Sequence, residues 1–287
     1  TTTITAGDLN KLDAKTTVDL DVSAATTING SYTDIAAAYA SDGIQGLGNE
    51  AITVSAGNAT LTEANALNAL TPGIVTATIS TADMATLAGL TLNLDANGAQ
   101  VVDNNGAAVE NAYTIAPTDA TVAATALTTL NTKTSVDISG ANITTITGSL
   151  AEVSAIYADA GVVAGFSNMG ARLITLSDTG SLDADQFQKI NSLTTGIVTV
   201  SGTVTNLTGT AANIKSLIDG RGQNGGVVFT ANPTVTVNGA TAAAADLKAI
   251  DTFTNKTVTV NAAKITGSQS DIDDVYTANA ATPNDGN

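Results

Sequence analysis

The feature that most constrains the fold is a short motif that recurs along the chain. In each of three copies a Gly-Ser pair lies nine residues before a tyrosine. These copies span Thr27–Tyr39, Thr145–Tyr157 and Lys264–Tyr276, and a divergent copy spans Asn206–Ile218. A chain that repeats one local pattern is expected to repeat one structural unit, so the sequence predicts an array of similar units.

Each copy of the motif has the pattern of a helix start. A serine that can serve as the N-cap is followed three residues later by a carboxylate, which is the spacing of a capping box. In the divergent copy Thr210 and Asn213 occupy these two positions. The predicted capping residues are Ser31 with Asp34, Ser149 with Glu152, and Ser268 with Asp271.

A second pattern sets the length of the repeat. Paired apolar residues mark successive helices at nearly constant intervals, and the repeat they define is roughly sixty residues long. Residues 8–31 also align with residues 126–149 without a gap. We therefore expect one block of two repeats at 1–120, a second at 121–240 and a truncated block at 241–287. The apolar positions are Leu9, Leu67, Leu127, Phe187 and Leu247.

Short segments between the helices alternate Val or Ile with Thr, which is typical of strands with one buried face. Each unit of about thirty residues then holds one strand and one helix. The predicted fold class is α/β, an α/β solenoid with a parallel sheet. A β-helix with helical insertions and two compact α/β repeat domains are the alternatives. Predicted strands lie at 16–22, 51–55, 74–80, 113–115, 135–138, 173–176, 197–200, 227–229, 234–237 and 257–260.

Composition narrows the possible functions. Hydrophobic residues make up 43% of the chain but aromatic residues only 3%, so the core is expected to consist of thin Ala, Val, Ile and Leu layers. A net charge of −16 repels phosphate backbones and argues against nucleic-acid binding. Because the chain has no Cys and no His, it has neither disulfides nor the commonest catalytic base. Its carboxylates are scattered, and we predict that the protein is not an enzyme.

No run of the sequence approaches the roughly 18 apolar residues needed to span a bilayer, so membrane insertion is not expected. The first residues lack the basic and apolar regions of a signal peptide. The sequence has the character of a segment of a longer protein.

One Gly- and Asn-rich stretch could bind a cation. Calcium prefers six to eight hard oxygen ligands, and glycine permits the tight turns that bring them together. The alternative is a solvated loop with Asn-Gly turns. A weaker acidic group, Asp178, Asp183 and Asp185, is explained equally well by helix capping. The candidate calcium ligands are Asp95, Asn97, Asp103, Asn105 and Glu110.

Threonines alternate along several predicted strands. They could form a flat hydroxyl array that binds ice or a polysaccharide, or they could simply be good strand formers. The pairs are Thr76/Thr78, Thr234/Thr236 and Thr257/Thr259. The motif residues Tyr39, Tyr157 and Tyr276 are expected to be the large packing residues of Ala-rich helices.

Several short stretches of sequence resemble repeats of very large secreted surface proteins of Gram-negative bacteria, cyanobacteria among them. These stretches are Ala64–Leu70, Thr71–Thr78 and Thr144–Ser149. That group includes S-layer-like and adhesin-like proteins, many exported by type I secretion. The resemblance implies an extracellular, cell-surface location, a structural or adhesive role, and calcium as a folding aid. The Gly/Asp nonapeptide repeats common in such proteins are absent here.

These observations together predict a non-enzymatic structural repeat segment of a secreted cell-surface protein. It would act as a rigid extension or as a self-assembling lattice or filament subunit. Its expected partners are further copies of itself, neighbouring repeats of a longer chain, or a surface glycan. The alternative function is an adhesive module that binds glycan or ice through a Thr-bearing sheet face.

Overall fold

The computed structural model describes residues 2–158, 161–162, 165–170, 172–220 and 232–281. Helices alternate with short strands through these ranges. The helices are α1 Ala6–Asp13, α2 Tyr32–Ala40, α3 Leu61–Asn68, α4 Met84–Leu87, α5 Ala124–Asn131, α6 Leu150–Ser154, α7 Ala184–Leu193, α8 Ala211–Asp219, α9 Ala244–Phe253 and α10 Gln269–Ala281.

Most strands contain two to five residues. They are β1 Thr3–Thr5, β2 Leu20–Asp21, β3 Thr27–Gly30, β4 Ile44–Gln45, β5 Ala51–Val54, β6 Val75–Thr78, β7 Ala112–Thr114, β8 Thr121–Ala123, β9 Ile138–Ser139, β10 Thr145–Gly148, β11 Tyr157–Ala158, β12 Gly161–Val162, β13 Phe166–Ser167, β14 Leu173–Leu176, β15 Gly180–Asp183, β16 Val198–Val200, β17 Val204–Thr210, β18 Thr234–Asn238, β19 Thr241–Ala243, β20 Val258–Val260 and β21 Lys264–Thr266.

The larger sheets are parallel, and the strands within each follow one another in chain order. One sheet runs β1-β3-β5-β6-β7, a second β8-β10-β14-β16 and a third β15-β17-β18-β20. Two-stranded parallel pairs join β2 to β4, β9 to β13 and β19 to β21, whereas β11 and β12 pair antiparallel. The α/β class with parallel sheets is therefore confirmed.

The sheet register shows how far the chain travels between neighbouring strands. Thr3 pairs with Thr27 and Thr27 pairs with Ala51, so the same length of chain separates both pairs of neighbours. Thr145 pairs with Leu173, which is a slightly longer interval. Both intervals are close to the predicted unit of about thirty residues, whereas a longer stretch of chain separates Thr76 on β6 from its partner Ala112 on β7.

Alternation along the strands separates a buried face from an outward face. Ile28, Ile52 and Val75 are fully buried on adjacent strands of the first sheet. α1 packs against β1 and β3, and α3 packs against β6, so the helices cover the buried face. The core consists mainly of Ile, Leu, Val and Ala, but its largest fully buried side chains are Tyr113 and Phe187, which the composition did not indicate.

Contacts divide the chain into two compact units. Unit 1 comprises residues 1–120, 126–143 and 164–168, and unit 2 comprises residues 121–125, 144–163 and 169–287. The first two large sheets belong to units 1 and 2 respectively, and the third sheet belongs to unit 2.

The structure corrects several details of the strand prediction. The strand expected at 16–22 is only β2, because turns occupy the residues before Leu20. The strand expected at 135–138 shares only its last residue with β9. The recurring motif also begins with a strand before its helix: Ile28 lies within β3 and Ile146 within β10. The strand predicted at 227–229 lies outside the described residues.

Candidate functional site

A buried threonine hydroxyl links successive strand–helix units. Thr134 Oγ1 donates to the carbonyl of Tyr113 at 2.7 Å. The same oxygen accepts from the amides of Tyr113 at 2.9 Å and Val136 at 3.1 Å. Thr134 is only 2% exposed, so these three bonds satisfy backbone groups that water cannot reach.

Three further threonines repeat this arrangement at equivalent positions. Each donates to a backbone carbonyl in the preceding strand–helix unit, and each accepts from the amide two residues later. They are Thr71, bonded to Glu50 O at 2.8 Å; Thr194, bonded to Arg172 O at 2.7 Å; and Thr254, bonded to Pro233 O at 2.6 Å. We call these three residues and Thr134 the threonine clamps. Sequence reasoning did not single them out.

On the outward side of the first sheet, small polar side chains of neighbouring strands lie side by side in rows. Across the strands Thr5 pairs with Asn29, Asn29 with Thr53, and Thr53 with Thr76. Thr76 and Thr78 both lie on this outward side and are exposed. We call the outward residues of β1, β3, β5, β6 and β7 threonine face 1.

The second sheet has the same design. Ala123 pairs with Thr147, Thr147 with Thr175, and Thr175 with Thr199. Thr199 Oγ1 lies 3.4 Å from Thr175 Oγ1, within hydrogen-bond distance across the strands. We call the outward residues of β8, β10, β14 and β16 threonine face 2.

The third sheet carries the remaining predicted threonines. Thr236 pairs with Thr208 on one side and with Thr259 on the other. Thr234 Oγ1 donates to the side-chain oxygen of Asn206 at 2.9 Å. Thr257 is exposed just before β20. Some hydroxyls of this sheet are therefore occupied by bonds within the protein.

The predicted capping residues lie at the N-termini of α2, α6 and α10. Ser149 Oγ accepts from the amide of Glu152 at 3.3 Å, and the Glu152 carboxylate accepts from the amide of Ser149 at 2.7 Å, which completes a capping box. Ser31 accepts from the Asp34 amide at 3.1 Å, and its hydroxyl donates to the Asp34 carboxylate.

The other copies of the motif lack the full capping box. Ser268 accepts from the Asp271 amide at 3.1 Å and donates to its carboxylate, as in the Ser31 pair. Aspartate is one methylene shorter than glutamate, which explains why its carboxylate meets the serine hydroxyl instead of the serine amide. Thr210 precedes α8 without a side-chain capping bond; its hydroxyl donates to Asp185 at 2.8 Å.

Some aspartates stabilise the start of a neighbouring helix. The Asp178 carboxylate accepts from the amide of Leu150, the first residue of α6, at 2.7 Å. The Asp119 carboxylate accepts from Met84, the first residue of α4, at 2.6 Å. Helix N-termini favour negative charge, so part of the acidic excess has a structural role.

Asp185 also accepts a hydrogen bond at the start of a neighbouring helix, from the amide of Thr210 before α8. Partial burial raises its pKa, but hydrogen bonds from Thr210 and Asn213 outweigh burial and hold the pKa below the usual range. Asp183 accepts from the amides of Asp185 and Gln186 and thereby caps α7. Asp178, Asp183 and Asp185, the weaker acidic group of the sequence, therefore all accept hydrogen bonds from amides at helix N-termini.

The candidate calcium ligands lie in two consecutive turns of identical design. Asp95 Oδ1 accepts from the amides of Asn97 and Ala99, both at 2.9 Å. In the second turn, Asp103 Oδ1 accepts from the amides of Asn105 at 2.8 Å and Ala107 at 2.9 Å. Each aspartate therefore closes its own turn through backbone amides.

The electrostatics of this loop follow from the same contacts. The amides of Ala99 and Ala107 are the largest cause of the lowered pKa of Asp95 and Asp103 respectively. Glu110 is half-buried, and burial raises its pKa. Over the residues that the structure describes, no three His, Cys, Asp or Glu side chains are grouped so as to hold a metal ion. Calcium binding by Asp95, Asn97, Asp103, Asn105 and Glu110 stays a prediction.

The motif tyrosines occupy three different environments. Tyr157 is buried, and its hydroxyl donates to the carbonyl of Met169 at 2.8 Å. Burial raises the pKa of Tyr157 to about 12. Tyr276 is 62% exposed on α10, so the packing role expected of it is not seen.

Tyr39 takes part in a contact that the sequence did not indicate. Its hydroxyl donates to Glu50, which is only 5% exposed. The Glu50 carboxylate also accepts from the amides of Gly48 and Asn49 at 3.0 Å. Burial raises the pKa of Tyr39, and the hydrogen bond to the Glu50 carboxylate raises it further. This cluster fixes the Gly-rich loop against α2.

An open groove of about 390 Å³ in unit 1 is lined by apolar Ala, Leu and Pro side chains and by polar residues that include Asn65, Asn68 and Asp95. The amide nitrogen of Asn68 donates to Thr91 Oγ1 at 3.1 Å and to Leu92 O at 2.7 Å. Its oxygen accepts from Asn111 at 2.8 Å. The polar atoms of Asn68 are therefore occupied within the protein.

Within the described ranges, no helix combines the length and apolar character required to cross a bilayer. Comparison of the chain with family models, with curated proteins and with solved structures finds no match. Function is therefore inferred from the sequence and the geometry.

Proposed function

We propose that this chain is a non-enzymatic structural segment of a secreted cell-surface protein. Its strand–helix units stack as an α/β solenoid that acts as a rigid extension or as a subunit of a self-assembling lattice. The observation that supports this most strongly is the set of threonine clamps, because each fixes one strand–helix unit to the one before it along the chain.

Rigidity follows from the number of contacts between successive strand–helix units. Besides the clamps, some aspartate carboxylates accept hydrogen bonds from the first helical residue of a neighbouring unit. The Asp178 carboxylate, for example, accepts from the Leu150 amide. Lys248 on α9 forms ion pairs with Asp271 at 3.1 Å and Asp274 at 2.7 Å on α10. In a repeat array, stability is roughly the sum of unit terms and nearest-neighbour interfaces, so such contacts resist bending at each step.

The proposed location rests on sequence character. The resemblance to repeats of bacterial surface proteins favours export and display at the cell surface. Threonine and asparagine account for much of the polar surface, and only 13% of residues are charged.

A second candidate is an adhesive module that binds glycan or ice. The observation that favours it is the regular hydroxyl array of threonine faces 1 and 2. It differs from the structural proposal in one respect: an adhesive module binds its ligand as an isolated monomer, whereas a lattice subunit binds further copies of itself.

Immunogold labelling of intact source cells tests the structural proposal. Antibodies raised against this segment are expected to label the outside of unpermeabilised cells. Deletion of the segment from its gene is expected to abolish the labelling and to thin the surface layer seen by electron microscopy. Labelling that appears only after permeabilisation would contradict the proposal.

A further inference from the structure

Threonine faces 1 and 2 are free of charge in a strongly acidic protein. The strands that form them, β1, β3, β5, β6 and β7 in unit 1 and β8, β10, β14 and β16 in unit 2, contain no Asp, Glu, Lys or Arg. The whole chain carries a net charge of −16. Two copies of the chain therefore repel each other except where such uncharged surfaces meet.

Both faces also expose large apolar side chains next to the threonine rows. Ile74, directly before β6, is 40% exposed. Leu173 on β14 is 44% exposed and lies beside Thr145, and Ile197, directly before β16, is 37% exposed. Together with the threonine methyl groups, these side chains give each face apolar surface that association can bury.

A second copy of the chain presents the same charge-free rows, so a face of one copy fits a face of another without burying a charge. Neighbouring strands of a sheet lie about 4.8 Å apart, and outward side chains recur at every second residue. Two copies of such a face share both spacings, so their side chains can interdigitate across the full width of the sheet. Sheets pack face to face at about 10 Å by this kind of interdigitation.

We propose that threonine faces 1 and 2 are self-association surfaces whose occupant is a sheet face of a second copy of this chain. This inference rests on the proposed lattice function and names the surface that carries it. Because each chain presents two faces, complete loss of association is expected only when both faces are altered.

Glutamate substitutions on each face test the proposal by sedimentation velocity over a range of concentrations. The wild type is expected to self-associate as its concentration rises. Thr53→Glu in face 1 or Thr175→Glu in face 2 is expected to weaken this association. The double variant sediments as a monomer, with association weakened at least about 100-fold, because each contact would bury unpaired like charges.

Two controls separate a specific surface from a general effect. Thr33→Glu adds the same charge on the exposed side of α2 and is expected to associate like the wild type. Thr53→Val keeps the shape and the methyl group of the side chain and is expected to retain association. Thermal melting by circular dichroism verifies that each variant is folded.

Salt dependence provides a test that needs no variant. Screening weakens repulsion between acidic chains, so self-association through uncharged faces is expected to strengthen as salt rises. The inference is overturned by a wild type that stays monomeric at all concentrations, by dissociation at high salt, or by an equal loss in Thr33→Glu. A monomer whose binding to ice or polysaccharide is lost in Thr53→Glu would also overturn it, in favour of the adhesive module. None of these outcomes bears on the cell-surface labelling.

Discussion

At the scale of single residues, threonine has two distinct structural roles in this protein. On the outward faces it supplies exposed hydroxyl and methyl groups, whereas in the clamps its hydroxyl replaces water for buried backbone groups. Thr134 and Thr114 illustrate the contrast, since Thr134 is buried and Thr114 is exposed on β7. The same substitution at the two positions should therefore have different consequences.

Thr134→Val is expected to lower the free energy of unfolding by about 2 to 3 kcal/mol, because it leaves buried backbone partners without a hydrogen bond. Chemical denaturation followed by circular dichroism measures the change. The matched variant Thr114→Val is expected to stay within about 0.5 kcal/mol of the wild type. Equal stability of Thr134→Val and Thr114→Val would show that the clamps do not stabilise the array.

Only part of this residue-level detail could be predicted from the sequence. The capping serines stand out because a capping box has a fixed spacing. The clamp threonines do not, since the chain is rich in threonine and a buried hydroxyl has no local pattern that distinguishes it. Glu50 was missed for a related reason: its partner Tyr39 is brought to it by the Gly-rich loop, not by regular spacing.

At the scale of elements, the helices were easier to predict than the strands. The helix start expected at Ser31 and the strand expected at 173–176 match α2 and β14. Strands directly before helices, such as β10, were missed because three or four residues hold too little alternation to separate them from a helix start.

The capping box of α6 is a test of how the motif stabilises its helix. Ser149→Ala removes the acceptor for the Glu152 amide and is expected to cost about 1 kcal/mol in unfolding free energy. Ser149→Asp keeps an acceptor at the N-cap and is expected to recover most of this loss. Denaturant melts of the two variants provide the measurement, and an alanine variant as stable as the wild type would exclude a stabilising role for the cap.

At the scale of the whole molecule, the sequence indicated repetition more clearly than it indicated shape. The spacing of Leu9, Leu67 and their equivalents along the chain predicts repeated units. The alternating strands predict a parallel α/β class, which the sheets confirm. Periodicity alone does not separate a continuous solenoid from two compact repeat domains, because both bury the same residues within each strand–helix unit. That distinction is the central claim of the proposed function.

Small-angle X-ray scattering on the monomeric Thr53→Glu/Thr175→Glu double variant, and on the same variant with residues 121–240 duplicated after Ala240, tests this claim most directly. In a solenoid the added block contributes roughly five further strands, so the maximum dimension is expected to grow by about 20 to 25 Å with no change in cross-section. An increased cross-section, or a maximum dimension that does not grow, would contradict the solenoid and favour separate compact domains.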